Sequence, residues 1–207
     1  MKKILSLTAI GILACTVANA DTKTSLSYVS SSTDLTSGSV TAALDMDGFA
    51  IGTSIDITEQ FFLTGSYQKM TWTLSAALSG TTILSGNLDY DSMTFGVGLN
   101  LINDLDRKAG TGSNLRTAVG YVKSDLGTLS ANNTLVGINY DIALAEKVSM
   151  DATFSGVLDD FNPEYGIGVA YSLGNGDLFA RYSFTEDNIS GVKLEETGIN
   201  IGYSLNF

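Results

Sequence analysis

The chain has 207 residues, of which 22 are acidic and 11 basic, with no histidine and a formal charge of −11. So acidic a chain is a poor match for nucleic acid phosphates, and with no histidine and a single cysteine, imidazole and thiolate metal sites are excluded as well. Hydrophobic residues make up 44% of the chain, yet after residue 20 no run reaches the roughly 18 consecutive apolar residues of a transmembrane helix.

The first element is a leader. Lys2 and Lys3 precede an apolar run from Ile4 to Val17, and Ala18-Asn19-Ala20 closes it. This is the layout of a cleaved secretory signal peptide, residues 1–20, with the mature chain starting at Asp21. The alternative is a lipoprotein box ending at Cys15, which Leu13 fits poorly. Cleavage after Ala20 removes the one cysteine. Residues 21–207 then form a single domain that needs a large core, or lipid, in place of disulfides.

From there apolar residues recur at every second position, the mark of strands with one apolar face. In chain order the segments carry Leu26 and Tyr28; Phe49, Ile51, Ile55 and Ile57; Phe61, Leu63 and Tyr67; Met93, Phe95, Val97, Leu99 and Leu101; Leu115, Val119 and Tyr121. They continue with Val136, Ile138, Tyr140, Ile142 and Leu144; Val148, Met150 and Phe154; Ile167, Val169, Tyr171 and Leu173; Leu178, Ala180, Tyr182 and Phe184; and a last strand from Ile199. That makes ten strands, with eight as the alternative count. The opposite faces are mainly Gly, Ala, Ser and Asn, as in Gly96, Gly98 and Asn100 or Gly166, Gly168 and Ala170. Such a face suits a crowded lumen better than an open surface. The apolar face, with aromatics near strand ends, suits lipid. Together these predict an all-β fold, a closed antiparallel transmembrane β-barrel, in which every backbone group is bonded without water.

The connections fit closure. Thr58-Glu59-Gln60, Ala145-Glu146-Lys147 and Gly174–Asp177 are tight turns, whereas the segments around residues 32–45, 125–133, 159–164 and 186–196 are expected to be longer, acidic outer loops. An even strand count puts both termini on the inner side. Residues 102–114 form an overlong turn on that side, either a floppy loop or a small plug.

The final ten residues, Gly198–Phe207, place Ile199, Ile201, Tyr203, Leu205 and Phe207 at alternate positions and end on the aromatic. This resembles the assembly signal of bacterial outer-membrane β-barrels. The resemblance implies the outer membrane of a Gram-negative bacterium, recognition by the barrel assembly machinery, contact with outer-membrane lipids and lipopolysaccharide, and closure of the last strand on the first. Beyond that strand the chain looks like a small porin-like or surface barrel.

No catalysis and no cofactor are expected. The outer-membrane barrel enzymes resemble one another in using a catalytic histidine, which supplies a near-neutral pKa without tuning. The carboxylate pairs Asp159-Asp160 and Glu195-Glu196 read as solvated loop charges. A structural or surface-interaction role is expected first, and a narrow, non-specific porin-like channel for ions or small solutes is the alternative. Inward parity assigns Asp56, Arg116, Asp141, Asp151 and Arg181 to the lumen near the short turns, where Arg–Asp pairing is expected to block its lower end. Acids in or beside the outer loops (Asp34, Asp45, Asp89, Asp91, Asp125, Asp159, Asp160, Glu186, Asp187, Glu195 and Glu196) are expected to associate weakly with divalent cations, without a defined site. Finally, the apolar parity changes after Tyr67, to Met70, Trp72 and Leu74, and changes back before Met93. Bulges at the two changes, a bilayer boundary there, and a 70–92 hairpin projecting as a lid or contact are the expectation.

Overall fold

The computed structural model describes residues 21–37, 40–78, 81–158, 163–189 and 192–207, with the side chains of 34–37, 40, 187–189 and 192–194 left aside. The expected signal peptide therefore lies outside the described residues, as do Asp159 and Asp160. Among the described residues ten strands follow one another: β1 (Thr22–Ser37), β2 (Val40–Asp56), β3 (Phe61–Leu78), β4 (Thr81–Asn103), β5 (Ser113–Leu126), β6 (Leu129–Ala145), β7 (Val148–Val157), β8 (Pro163–Leu173), β9 (Gly176–Ile189) and β10 (Val192–Asn206). Each pairs antiparallel with its chain neighbours, and β1 pairs with β10, so the sheet closes. Closure is sealed at the chain ends by Phe207 N–H donating to Thr22 O at 2.8 Å. No strand edge is left within the belt, as lipid demands.

The alternation read from the sequence sets the two faces. Outward positions carry the exposed apolar side chains, for example Phe95, Val97 and Leu99 on β4 and Tyr165, Ile167, Val169, Tyr171 and Leu173 on β8. The β8 set spans nine residues, about what a tilted strand needs to cross a bilayer. Inward positions are small or polar and well covered, such as Ser149 and Ser204. Small inward residues make room for large ones opposite: a Cβ on Gly98 would collide with the Phe62 ring, and one on Gly168 with the Asp151 carboxylate.

The outer limit of the belt is marked by three outward tyrosines, each bonded to a polar residue just above. Tyr28 Oη donates to Asp47 Oδ1 at 2.9 Å, Tyr67 Oη to Asp91 Oδ1 at 2.6 Å, and Tyr121 Oη to Asn132 Oδ1 at 2.7 Å. Amphipathic rings with a wet end belong at this level.

Two sequence expectations need correction. The supposed long outer loops are mostly strand: only two residues separate β1 from β2, β3 from β4, β5 from β6 and β9 from β10. Asp45, Asp89, Asp91, Asp125, Glu186, Glu195 and Glu196 lie on strands, as do the backbones of Asp34 and Asp187. The pattern misled because turn-forming residues such as Ser, Asn and Asp are also what an outward strand face carries once it leaves lipid. Nor do bulges accompany the parity change. The β3–β4 pairing runs from Phe61↔Leu99 to Ala76↔Leu84 without a shift, and its one irregularity lies above, at Ala76/Ala77. The strands run straight on, and the environment changes around them.

Above the tyrosines the barrel is lopsided. β9, β10, β1, β2, β3 and β4 rise as a wall, with β3 continuing to Leu78, roughly 35 Å of strand beyond Tyr67 at about 3.3 Å per residue. On the other side β8 begins at Pro163, just above Tyr165.

Candidate functional site

The lower lumen is built from strand ends and one loop. β1 places Lys23 inward, β2 Asp56, β5 Arg116, β6 Asp141, β7 Asp151, and β9 Asp177 and Arg181. Arg116 Nη2 donates to Asp56 Oδ2 at 3.0 Å, and its guanidinium lies over the Phe62 ring, 5.1 Å from the centroid. Arg181 binds Asp151 through Nε at 2.8 Å and Nη2 at 2.7 Å. So the five lumen residues singled out by parity do not form one cluster. They give two Arg–Asp pairs, and Asp141 finds a different partner.

That partner is Arg107, from the overlong turn. Its Nε donates to Ser149 Oγ at 2.9 Å, Nη2 to Asp141 Oδ1 at 3.2 Å and Nη1 to Asp177 Oδ2 at 3.3 Å. Asp177 also accepts from Lys23 Nζ at 3.2 Å and from Ser172 Oγ at 2.8 Å. Four cations thus meet four carboxylates in the half-buried lower lumen, where fork-shaped Arg contacts fix geometry as well as charge.

The turn is shaped to deliver Arg107. Asp106 and Thr111 bond each other's backbone at 2.9 and 3.1 Å, and Asp106 Oδ1 accepts from the N–H groups of Lys108 and Ala109. Lys147 N–H donates to Arg107 O at 2.7 Å, which ties the loop to the β6–β7 turn. Gly110 (φ +70°) and Gly112 (φ +79°) supply left-handed backbone, and their Cβ positions would strike the backbone of Ala145 and Asp104. Only glycine fits both demands. The 102–114 segment is therefore an ordered cap with a side chain in the lumen. Lys23 and Asp177 were legible by inward parity: Asp177 precedes the outward Leu178, and Lys23 lies three residues before the outward Leu26. Arg107 was not, since a loop residue has no period.

Most of the same charged side chains line a cavity of about 940 Å3 that runs from Asp21, Asn206 and Phe207 at the inner end up to Gln68, Met70 and Glu164. A second one, of about 310 Å3, opens at the low side between Asn133, Ser155, Thr185, Glu164 and Glu196. Glu196 points inward and takes a hydrogen bond from Ser31 Oγ at 3.2 Å. Burial holds its pKa above the ordinary carboxylate value, Ser31 opposes this, and the charge of Glu164 adds to it.

Higher still, the inward faces of β2, β3 and β4 turn apolar. Met46 and Met70 are 5% and 6% exposed, and Trp72 stacks on Tyr90 with centroids 5.1 Å apart. Lys69, Thr71 and Thr73 alternate with them on the outward, exposed side. Met70, Trp72 and Leu74 thus face the inside of the wall and pack against one another's neighbours, rather than presenting a free outer face.

A closed, even-stranded barrel with an apolar belt, tyrosines at its edge and an ionic lumen defines an outer-membrane β-barrel. No protein-family model and no curated protein sequence matches the chain. Among solved structures, the translocator domain of the autotransporter NalP from Neisseria meningitidis is 12% identical, with 98% of this chain and 94% of that one covered and a TM-score of 0.49. OprG from Pseudomonas aeruginosa is 10% identical, covering 91% and 96%, with a TM-score of 0.47. The protease OmpT from Escherichia coli is 10% identical, covering 93% and 98%, with a TM-score of 0.45. No activity is carried over from any of them.

Proposed function

We propose that this barrel is a non-catalytic, narrow channel for ions or small polar solutes, held shut at its inner end by Arg107. The observation that supports it is the one guanidinium bound to Ser149, Asp141 and Asp177 in the lower part of a lumen whose cavity measures about 940 Å3. A barrel of about this size is nearly filled by its own side chains, and here the small inward residues leave the space that the Arg107 loop closes. Acid–base chemistry would have to run without histidine, on carboxylates, lysine or tyrosine. The test is conductance in planar bilayers. Wild type gives rare, brief openings, and Arg107→Ala gives steady steps. Silence from both, with heat-modifiable mobility unchanged, overturns the channel.

A surface role is the second reading, and a separate observation favours it: the six-strand wall. Its outward acids, Asp45, Asp47, Asp89 and Asp91, stand at the level of lipopolysaccharide phosphates, where divalent cations bridge like charges. Chelator that changed neither thermal stability nor lipopolysaccharide association would remove the cation part of this reading.

A further inference from the structure

The wall has an open side. β4 pairs with β3 along its length, but with β5 only from Tyr90↔Leu126 downward. The last bond across is Gly127 N–H to Asp89 O at 3.0 Å. Above it, among the described residues, β4 has no neighbour on that side. Because Asp89 O points across the gap, the period of two aims the N–H and C=O groups of Asn87 and Ser85 the same way.

Such edges are normally guarded by lysine, proline, a bulge or a covering loop. Thr81–Asp89 contains no lysine, arginine or proline. The one guard is the extra residue Ile83 where the register shifts, and it sits above the stretch in question. Among the described residues, Leu84–Leu88 is left without a strand neighbour on that side. Its inward face carries Leu84 and Leu88, 54% and 44% exposed, with Leu129 at the tip across the gap 71% exposed. Leu88 is the cross-strand neighbour of Trp72. Its outward face carries Ser85, Asn87 and Asp89. Around it the outward face of the wall holds Asp45, Asp47, Asp91 and Asp125, against Lys69 and Lys123.

We propose that the β4 edge, Leu84–Leu88, binds an extended segment of a protein partner that pairs as an added strand, with apolar residues toward Leu84 and Leu88 and basic residues toward the Asp89 side chain. Backbone pairing supplies the affinity, and the two faces supply the choice of partner. The acidic outward face sets the sign of the partner's charge. This proposal is independent of whether the lumen conducts.

The probe is a synthetic nonapeptide of alternating valine and lysine, added to the full chain folded in detergent. Saturable binding is expected, read by anisotropy of a labelled peptide and by Trp72 emission. Its twin with alternate amides N-methylated keeps the charges but cannot pair, and should bind roughly tenfold weaker or worse. Asn87→Pro should do the same to the unmodified peptide. It removes an N–H that points into the gap and leaves the β3 ladder whole, so the barrel folds. Equal binding of the methylated twin overturns the proposal in favour of simple charge attraction, and equal binding of a valine–glutamate peptide overturns the basic partner. Ser85→Cys chains that form disulfide-linked pairs equally well with and without saturating peptide present during oxidation would give the edge to a second copy, which also overturns it.

Discussion

Below the three tyrosines the outward face of the sheet is apolar and the inward face polar; above them β2, β3 and β4, in the same register, have the two reversed. On β3 the outward series Phe61, Leu63, Tyr67 becomes Lys69, Thr71, Thr73, while inward Thr64, Ser66 and Gln68 become Met70, Trp72 and Leu74. The difference teaches that face polarity follows the medium and not the strand. In lipid, outward apolar residues cost nothing and the lumen holds what is polar. In water, the outward face must be wet, and the wall can gain stability only by packing its inner side, which is the ordinary hydrophobic effect.

A single charge separates the two regions most sharply. Val169→Arg, outward at mid-belt on β8, should destabilise the barrel by about 2–4 kcal/mol. Thr73→Arg, outward on the wall, should change it by less than about 0.5 kcal/mol. Urea unfolding in lipid vesicles measures both, and equal costs would erase the boundary. On the inner side the order reverses. Met70→Ala removes a buried anchor of the wall and should cost about 2 kcal/mol, with a red shift of Trp72 emission. Met70 unchanged in either readout would mean the wall is not packed.

The smallest effect sharpens the comparison at the mouth. The folded pKa of Glu196 is raised, so its stabilising contribution is complete below the unfolded value of 4.5 and is lost as pH rises through the folded value. Wild type should therefore weaken slightly on going from pH 4.5 upward, and Glu196→Gln should lack that slope. Chemical denaturation at a series of pH values checks it, and parallel curves for the two proteins would show that Glu196 is solvated like an outer-loop acid.

The period of two fixed ten strands, the outward set from Leu26 to Phe207 and the inward placing of Asp56, Arg116, Asp141, Asp151 and Arg181, because side-chain direction in a strand is local geometry. It also marked the boundary after Tyr67, since a change of medium leaves its trace in composition. What parity could not reach is pairing across the lumen. Asp141 turns to Arg107 instead of Arg116 or Arg181, because a loop held by Lys147 N–H and two left-handed glycines brings that guanidinium under it. The wall was hidden for a related reason. Polar outward residues read as loop when taken alone, and only the ladder from neighbouring strands shows that their backbone is paired. The bare edge of β4 is likewise a property of the tertiary structure, set by β5 turning at Gly127 while β4 runs on.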